Sequence, residues 1–228
     1  MASYDFSNED DISRFDRDLD EYSRNRGLDW KQIDLVRCFR GLHESKPDLF
    51  YAVLDLKLSL SVMECDSIQM LKCQSRETPD ETFEFYRYLT SFIVRYRAFY
   101  DKFMSFVIRV GYPKSLNSFE KAKSRNQAFY KIVSKSPAFF TTSGRVFIFD
   151  PELLKWLYGY LNGINSNFRT PEVHGTGKVR KWVFNPLALS DTPFDQFFAG
   201  CSNLVAIVGM VRTLSDAAIE DAKAERTR

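Results

Sequence analysis

Apolar residues recur at steps of three and four through most of this chain, the spacing that aligns side chains on one face of an α-helix. The clearest run opens at Thr78. From there Phe85, Leu89, Phe92, Tyr96, Phe99, Phe103, Phe106 and Val110 follow one another at alternating steps of four and three, and Ile93, Tyr100 and Val107 widen the stripe. That is the pattern of a bundle spine. Thr78 with Glu81 makes a capping box, Pro79 takes the first helical position, and Gly111 with Pro113 stops the helix. Rings at this seam spacing read as core, not as a base-stacking platform.

Other elements flank the spine. Ile12, Phe15, Leu19 and Tyr22 follow the capping cluster Ser7, Asn8 and Asp10, with Gly27 as a stop. A second helix is predicted from about Asp29 to Gly41, with Trp30, Ile33, Val36 and Phe39 inward. Between Pro47 and Lys72 the pattern has two readings. Leu54, Leu56, Leu58 and Leu60 alternate as in a strand, whereas Phe50, Leu54, Leu58, Ser61, Cys65 and Ile68 share a helical face; the length of the run decides for helix. Residues 115–136 read as one basic helix with Phe119, Ala122, Ala128, Phe129 and Ile132 loosely periodic. FFTTSGRVFIF, residues 139–149, predicts a hairpin around Thr-Ser-Gly. Asp150-Pro151-Glu152 then starts a helix over about 151–166, with Leu154, Trp156, Leu157, Tyr160, Leu161 and Ile164 inward. A last helix spans roughly 194–222 through Leu204, Ile207, Val208, Val211 and Leu214. The expected architecture is an all-α helical bundle with a small β-hairpin insertion. It comprises an N-terminal helical extension over 1–46, the bundle over 47–222 and a disordered tail over 223–228.

Composition narrows the classes. A chain of 228 residues, 44% hydrophobic, supports a large core. Mean hydropathy is -0.32 and apolar runs end after a few residues, so no membrane association is expected. The acidic start, MASYDFSNEDD, differs from a secretory leader, which makes the cytoplasm the expected location. Cys38, Cys65, Cys73 and Cys201 lack zinc or redox spacing and read as free thiols. No cofactor or metal is expected, because no ligand cluster stands out and GTGK at 175–178 lacks the upstream glycine of a phosphate loop. Charge is unevenly placed: residues 1–20 hold seven acids and two bases, residues 95–135 ten bases and two acids. The basic stretch is either a solvated helix face or a surface for phosphates.

The candidate chemistry lies in 167-NFRTPEVHGTGKVRKW-182, where four residues separate Arg169 from His174, one of two histidines in the chain. An imidazole with a pKa near neutrality can move a proton to or from a ribose oxygen. A guanidinium can hold the phosphate and stabilise added transition-state charge. Spacing alone has little weight, since Arg37 also precedes His43. Context separates the two, because the later pair sits in a polar, turn-rich segment between helices, followed by Lys178, Arg180 and Lys181 as candidate phosphate-binding residues. The structural alternative is that Arg169 satisfies helix-end carbonyls and His174 bonds within a turn.

A helical bundle carrying FRTPEVH after a hydrophobic helix resembles the HEPN superfamily, in particular a bacterial subgroup with an Arg-x4-His segment of this type. That resemblance implies a metal-independent endoribonuclease with Arg169 and His174 catalytic, acting in RNA processing, phage defence or a toxin-antitoxin pair. It also implies a homodimer with facing segments, and RNA and an antitoxin or other protein as partners. Transesterification calls for both a base and an acid, so a two-fold axis near His174 would supply the second histidine. Thr170 departs from the Asn, Asp or His often found after the arginine. A non-catalytic interaction or RNA/anion-binding module is the alternative.

Overall fold

The aromatic seam that begins at Phe85 folds as one helix of 33 residues, α4 (Pro79–Gly111), in a computed structural model that describes residues 4–24, 33–169, 178–184 and 192–227, with backbone alone at 23, 24, 169, 178 and 192–196. Both halves of the predicted capping box form at its start: Thr78 Oγ1 accepts from the Glu81 N–H at 3.2 Å and Glu81 reaches back to the Thr78 N–H. Phe85 through Phe106 are buried along the predicted stripe, as are Ile93, Tyr100 and Val107, while Val110 is half-buried.

The ambiguous leucine run is a helix, α3 (Pro47–Lys72). It lies antiparallel to α4, since Asp48 pairs with Arg109, Asp55 with Lys102 and Asp66 with Arg95. Alternation misleads here because α3 is wrapped on several sides. Leu54, Leu56 and Leu60 are all buried, and among the four leucines Leu58 alone is exposed.

α1 (Glu9–Arg24) and α2 (Leu35–Leu42) complete this half of the bundle, and both belong to the common core through Ile12, Leu19, Leu35, Cys38 and Leu42. Residues 1–46 are therefore docked on the bundle wherever they are described. α2 starts later than its pattern suggests because Asp34 caps it, accepting from the Arg37 N–H at 2.9 Å. Trp30 and Gly27 fall outside the described residues. Between α1 and α3, Lys57 is buried and holds Asp16 and Asp20, the latter at 3.0 Å. Burial raises the Asp16 carboxyl above its ordinary range against the lowering effect of Lys57.

The predicted basic helix is broken. A 3-10 turn (Pro113–Ser115) runs into α5 (Leu116–Glu120), and α6 (Arg125–Lys135) starts afresh where the Ser124 side chain caps it. β1 (Ala138–Phe140) and β2 (Val146–Ile148) form the expected antiparallel hairpin, with Phe139 opposite Phe147 and Gly144 at φ +84° in the turn. α7 (Pro151–Ile164) is capped by Asp150 and passes into a π-helical turn, Asn165–Arg169. α8 (Lys178–Phe184) and α9 (Thr192–Cys201) follow. The last helix is likewise two pieces. α9 ends at Cys201 and α10 (Leu204–Arg226) begins after Ser202 and Asn203.

α10 runs past residue 222 to Arg226, where Glu225 pairs with Lys46 at 2.8 Å and Arg226 with Glu44 at 3.2 Å. These residues are ordered helix, not a disordered tail. By length and composition alone, the stretch Phe197–Arg226 would be long and apolar enough to cross a membrane, although no uninterrupted apolar run of that length exists in it. Here its inner face, Ile207, Val208, Val211, Leu214 and Ala218, belongs to the bundle core.

α2 and α10 run parallel and approach closely at Gly41. A β-carbon there would lie 2.6 Å from Ile219 Cγ1. Gly41 is thus an interior contact residue of α2 and not its stop signal. Gly41→Ala is expected to lower unfolding free energy by about 1–3 kcal/mol through overpacking. Urea denaturation should give a smaller loss when the same change is made in an Ile219→Ala background.

Candidate functional site

The segment that carries Arg169 and His174 is held at both ends. On the near side, α4 grips the π-helical turn: buried Arg97 donates from Nε to Asn165 Oδ1 at 3.1 Å and from Nη1 to Asp101 Oδ1 at 2.6 Å. Phe168 is buried one residue before Arg169, its ring 5.4 Å from that of Phe197. A π turn inserted in an α-helix shifts the following residues around the axis, and such insertions recur at functional sites.

On the far side, α8 is pinned to the first turns of α4. Val179 and Val183 are buried, Phe184 packs against Phe83 and Tyr86 at 5.3 and 5.6 Å, and Trp182 faces Phe85 at 6.0 Å. The Arg76 guanidinium lies over both Phe85 and Trp182, 5.2 and 5.3 Å from the ring centroids. Arg76 itself has φ 53° in the α3–α4 connection, a left-handed residue held there by this stacking. Nothing in the sequence pattern marks it.

Of the predicted site residues, Arg169 ends the π turn in the backbone trace, and its side chain, like that of Lys178, is outside the described part of the structure. His174 lies outside the described residues. Arg180 and Lys181 are exposed on α8 while its valines point inward. Lys178 begins the helix, Arg180 follows in its first turn, and Lys181 stands in its last turn, where positive charge suits the macrodipole.

The competing pair is absorbed by structure. Arg37 binds Asp216 at 2.9 Å, and His43 is half-buried, stacked on Phe39 at 4.4 Å and edge-on to Phe50 at 5.6 Å. That histidine has an aromatic packing role.

A groove with a volume of about 730 Å³ opens between α7 and α9, next to the π turn, and is bordered by Lys155, Trp156, Tyr160, Gly163, Asn167 and Gly200. Beneath it, reached through Tyr160, lies a buried hydroxyl network within the aromatic stripe of α4. Tyr96 Oη lies 3.2 Å from Tyr100 Oη, 3.0 Å from Tyr160 Oη and 3.2 Å from the Gly200 carbonyl, while Tyr160 donates to the Phe197 carbonyl at 3.0 Å. Three phenolic protons serve four contacts. A β-carbon on Gly200 would sit 2.2 Å from the Tyr160 ring, so glycine is what lets α9 settle on these hydroxyls.

Burial pushes all three phenols upward, Tyr100 to about 12. They are neutral donors at physiological pH and cannot serve as bases there. The Cys201 thiol, beside Tyr96 and Tyr160, is likewise raised by burial to about 12, and that of Cys38 to about 12. A thiol so shifted presents almost no thiolate at neutral pH.

The chain matches no protein-family model, no curated protein and no solved structure. What it can do must be argued from its own residues.

Cys38 and Cys201 should remain unlabelled by iodoacetamide at pH 8 in the folded protein and become labelled after denaturation in guanidinium. Peptide mass spectrometry reads this directly. Native labelling of Cys201 at a rate near that of a free thiol would show that α9 does not keep this thiol packed beside Tyr96 and Tyr160.

Proposed function

We propose that the protein is a HEPN-like, metal-independent endoribonuclease whose chemistry is carried by Arg169 and His174. The observation that favours this reading is the contrast between the chain's two Arg/His pairs. One is tied up by Asp216 and a ring cluster, whereas the other lies between two firmly docked elements, Phe168 in the π turn and Val179 in α8, followed by Lys178, Arg180 and Lys181, the last two exposed on α8. Catalytic groups are commonly mounted on a short loop whose ends belong to a rigid scaffold.

In the proposed reaction the ribose 2'-oxygen attacks the adjacent phosphorus. A histidine takes the 2'-hydroxyl proton, the 2'-O–P bond forms, and the P–O5' bond breaks. A second histidine protonates the departing 5'-oxygen. The products are a 2',3'-cyclic phosphate and a free 5'-hydroxyl. Arg169 neutralises the non-bridging oxygens, on which charge accumulates in the five-coordinate transition state.

The second histidine comes, in this reading, from a second copy of the chain. α7 points the way to the interface: Leu153 and Trp156 are 52% and 42% exposed, Val205 on α10 is 60% exposed, and Leu153, Trp156, Ala206 and Met210 border a shallow apolar cleft. Burying it against its own copy would cover exposed apolar surface on the helix that leads into the π turn ending at Arg169.

Purified wild type should cleave single-stranded RNA in EDTA, leaving cyclic phosphate ends, and His174→Ala should lower the rate by about 10²-fold or more. Equal inactivity of both proteins across varied RNAs would transfer the reading to a non-catalytic interaction or anion-binding module. Trp156→Glu combined with Val205→Glu is expected to convert a 53 kDa-class dimer to the 26.6 kDa monomer in sedimentation. Wild type sedimenting as monomer at micromolar concentration would remove the second histidine from the scheme.

A further inference from the structure

The basic middle of the chain divides into two populations. Arg95, Arg97, Lys102 and Arg109, all on α4, are matched with carboxylates: Asp66 at 3.0 Å, Asp101 at 2.6 Å, Asp55 at 3.8 Å, and Glu120 at 2.5 Å. Lys114, Lys121, Lys123, Arg125, Lys131 and Lys135 are different. All six are exposed, and among the described residues none of them forms an ion pair. Glu120, the one acid between 113 and 137, is turned toward Arg109.

Three of the six, Lys121, Lys123 and Arg125, crowd the break between α5 and α6. That break is a fixed feature. The Lys121 N–H bonds the Asn117 carbonyl at 3.2 Å, Ser124 Oγ caps α6, and buried Asn126 donates from Nδ2 to the Tyr158 carbonyl and to Asn162 Oδ1, each at 3.0 Å. With Tyr130 stacked on Tyr158 at 4.9 Å, α6 and α7 are antiparallel neighbours. The three cations are thus mounted next to Asn162, and Arg169 lies seven residues further along the same helical path, on the order of 10 Å at 1.5 Å per residue.

We propose that the α5–α6 turn is a phosphate-binding track that guides a single RNA strand to the Arg169–His174 segment. This rests on the ribonuclease reading for the choice of RNA, but the track itself is argued from charge and position. Uncompensated cations on a rigid mount fit a polyphosphate backbone, where each contact releases condensed counterions. No large apolar side chain between 113 and 137 is exposed, so the surface lacks the insertion anchors of a membrane-binding helix.

The test measures binding separately from cleavage. A labelled single-stranded RNA of about twenty nucleotides is titrated in EDTA with His174→Ala protein, with the same protein carrying Lys121→Glu, Lys123→Glu and Arg125→Glu, and with a control of equal net charge carrying Lys72→Glu, Arg212→Glu and Lys223→Glu. All six positions are exposed, and circular dichroism verifies folding. The α5–α6 variant should bind at least tenfold more weakly than the control, and its plot of log affinity against log salt should flatten by about 2, at roughly 0.7 per lost phosphate contact. Equal losses in both triple variants, no RNA binding by the parent, or preference for phosphatidylserine vesicles over RNA would overturn the track. If wild type cleaves RNA yet the α5–α6 variant binds normally, the track falls and the ribonuclease reading stands; if nothing cleaves yet that variant loses affinity, the reverse holds.

Discussion

The seam that α4 lays along α3 is the axis of this bundle. A helix of 33 residues spans about 50 Å at 1.5 Å per residue, and an isolated helix of this composition has no reason to persist at that length in water. It persists because phenylalanines and tyrosines occupy one side of every turn and are buried there, so packing supplies what propensity does not. Several later elements are located by what they place on that seam, while α1 docks on α3 and α2 on α10. Phe197 reaches it through Tyr96 at 5.3 Å, Trp182 through Phe85, and the hairpin through Phe139, which lies against Gly111.

This dependence explains what the amino-acid pattern disclosed and what it concealed. Long-range periodicity carried α3, α4 and α7, and local stereochemistry carried their starts: Thr78 with Glu81, Asp150 with Pro151, and the Gly144 turn are all as the residues suggest. Breaks were less visible. The stretch 115–136 has no proline or glycine, yet it divides at Ser124, because a serine cap and the Asn126 anchor favour two helices docked at different angles over one that would leave the bundle. The division at Ser202 and Asn203 does follow a turn signal, Gly200, whose carbonyl accepts from the Asn203 N–H at 3.1 Å, but the apolar pattern on either side masks it.

The candidate site was legible in position more than in support. Arg169, His174 and the cations after them stand out as a polar, turn-rich interval, and the scaffold indeed delimits that interval from both sides. The support is nonlocal and was not readable: Arg97 reaches from mid-α4 to Asn165, Arg76 reaches from the α3–α4 connection to Trp182, and the tyrosine hydroxyls meet only because Gly200 admits them. Each of those side chains looked like part of a charged face or an apolar stripe. Their partners lie 68, 106 and 40 positions away, beyond anything a periodicity argument can join.

Charge makes the same point with a functional consequence. Counted along the sequence, 95–135 is strongly net basic, but in space α3 lends carboxylates to α4 cations, while among the described residues those of the α5–α6 turn and α6 form no ion pair. Neutralisation on α4 is structural, since ion pairs between neighbouring helices fix their register while adding little net stability at the surface. The remainder forms no ion pair among the described residues. Its members repel one another on one short, firmly anchored turn, an arrangement that costs self-energy in the free protein and relaxes when polyanion arrives. The fold has therefore sorted one run of basic residues into cations that hold helices together and cations available for an external phosphate chain, and the second group sits on the helix pair that ends at Arg169.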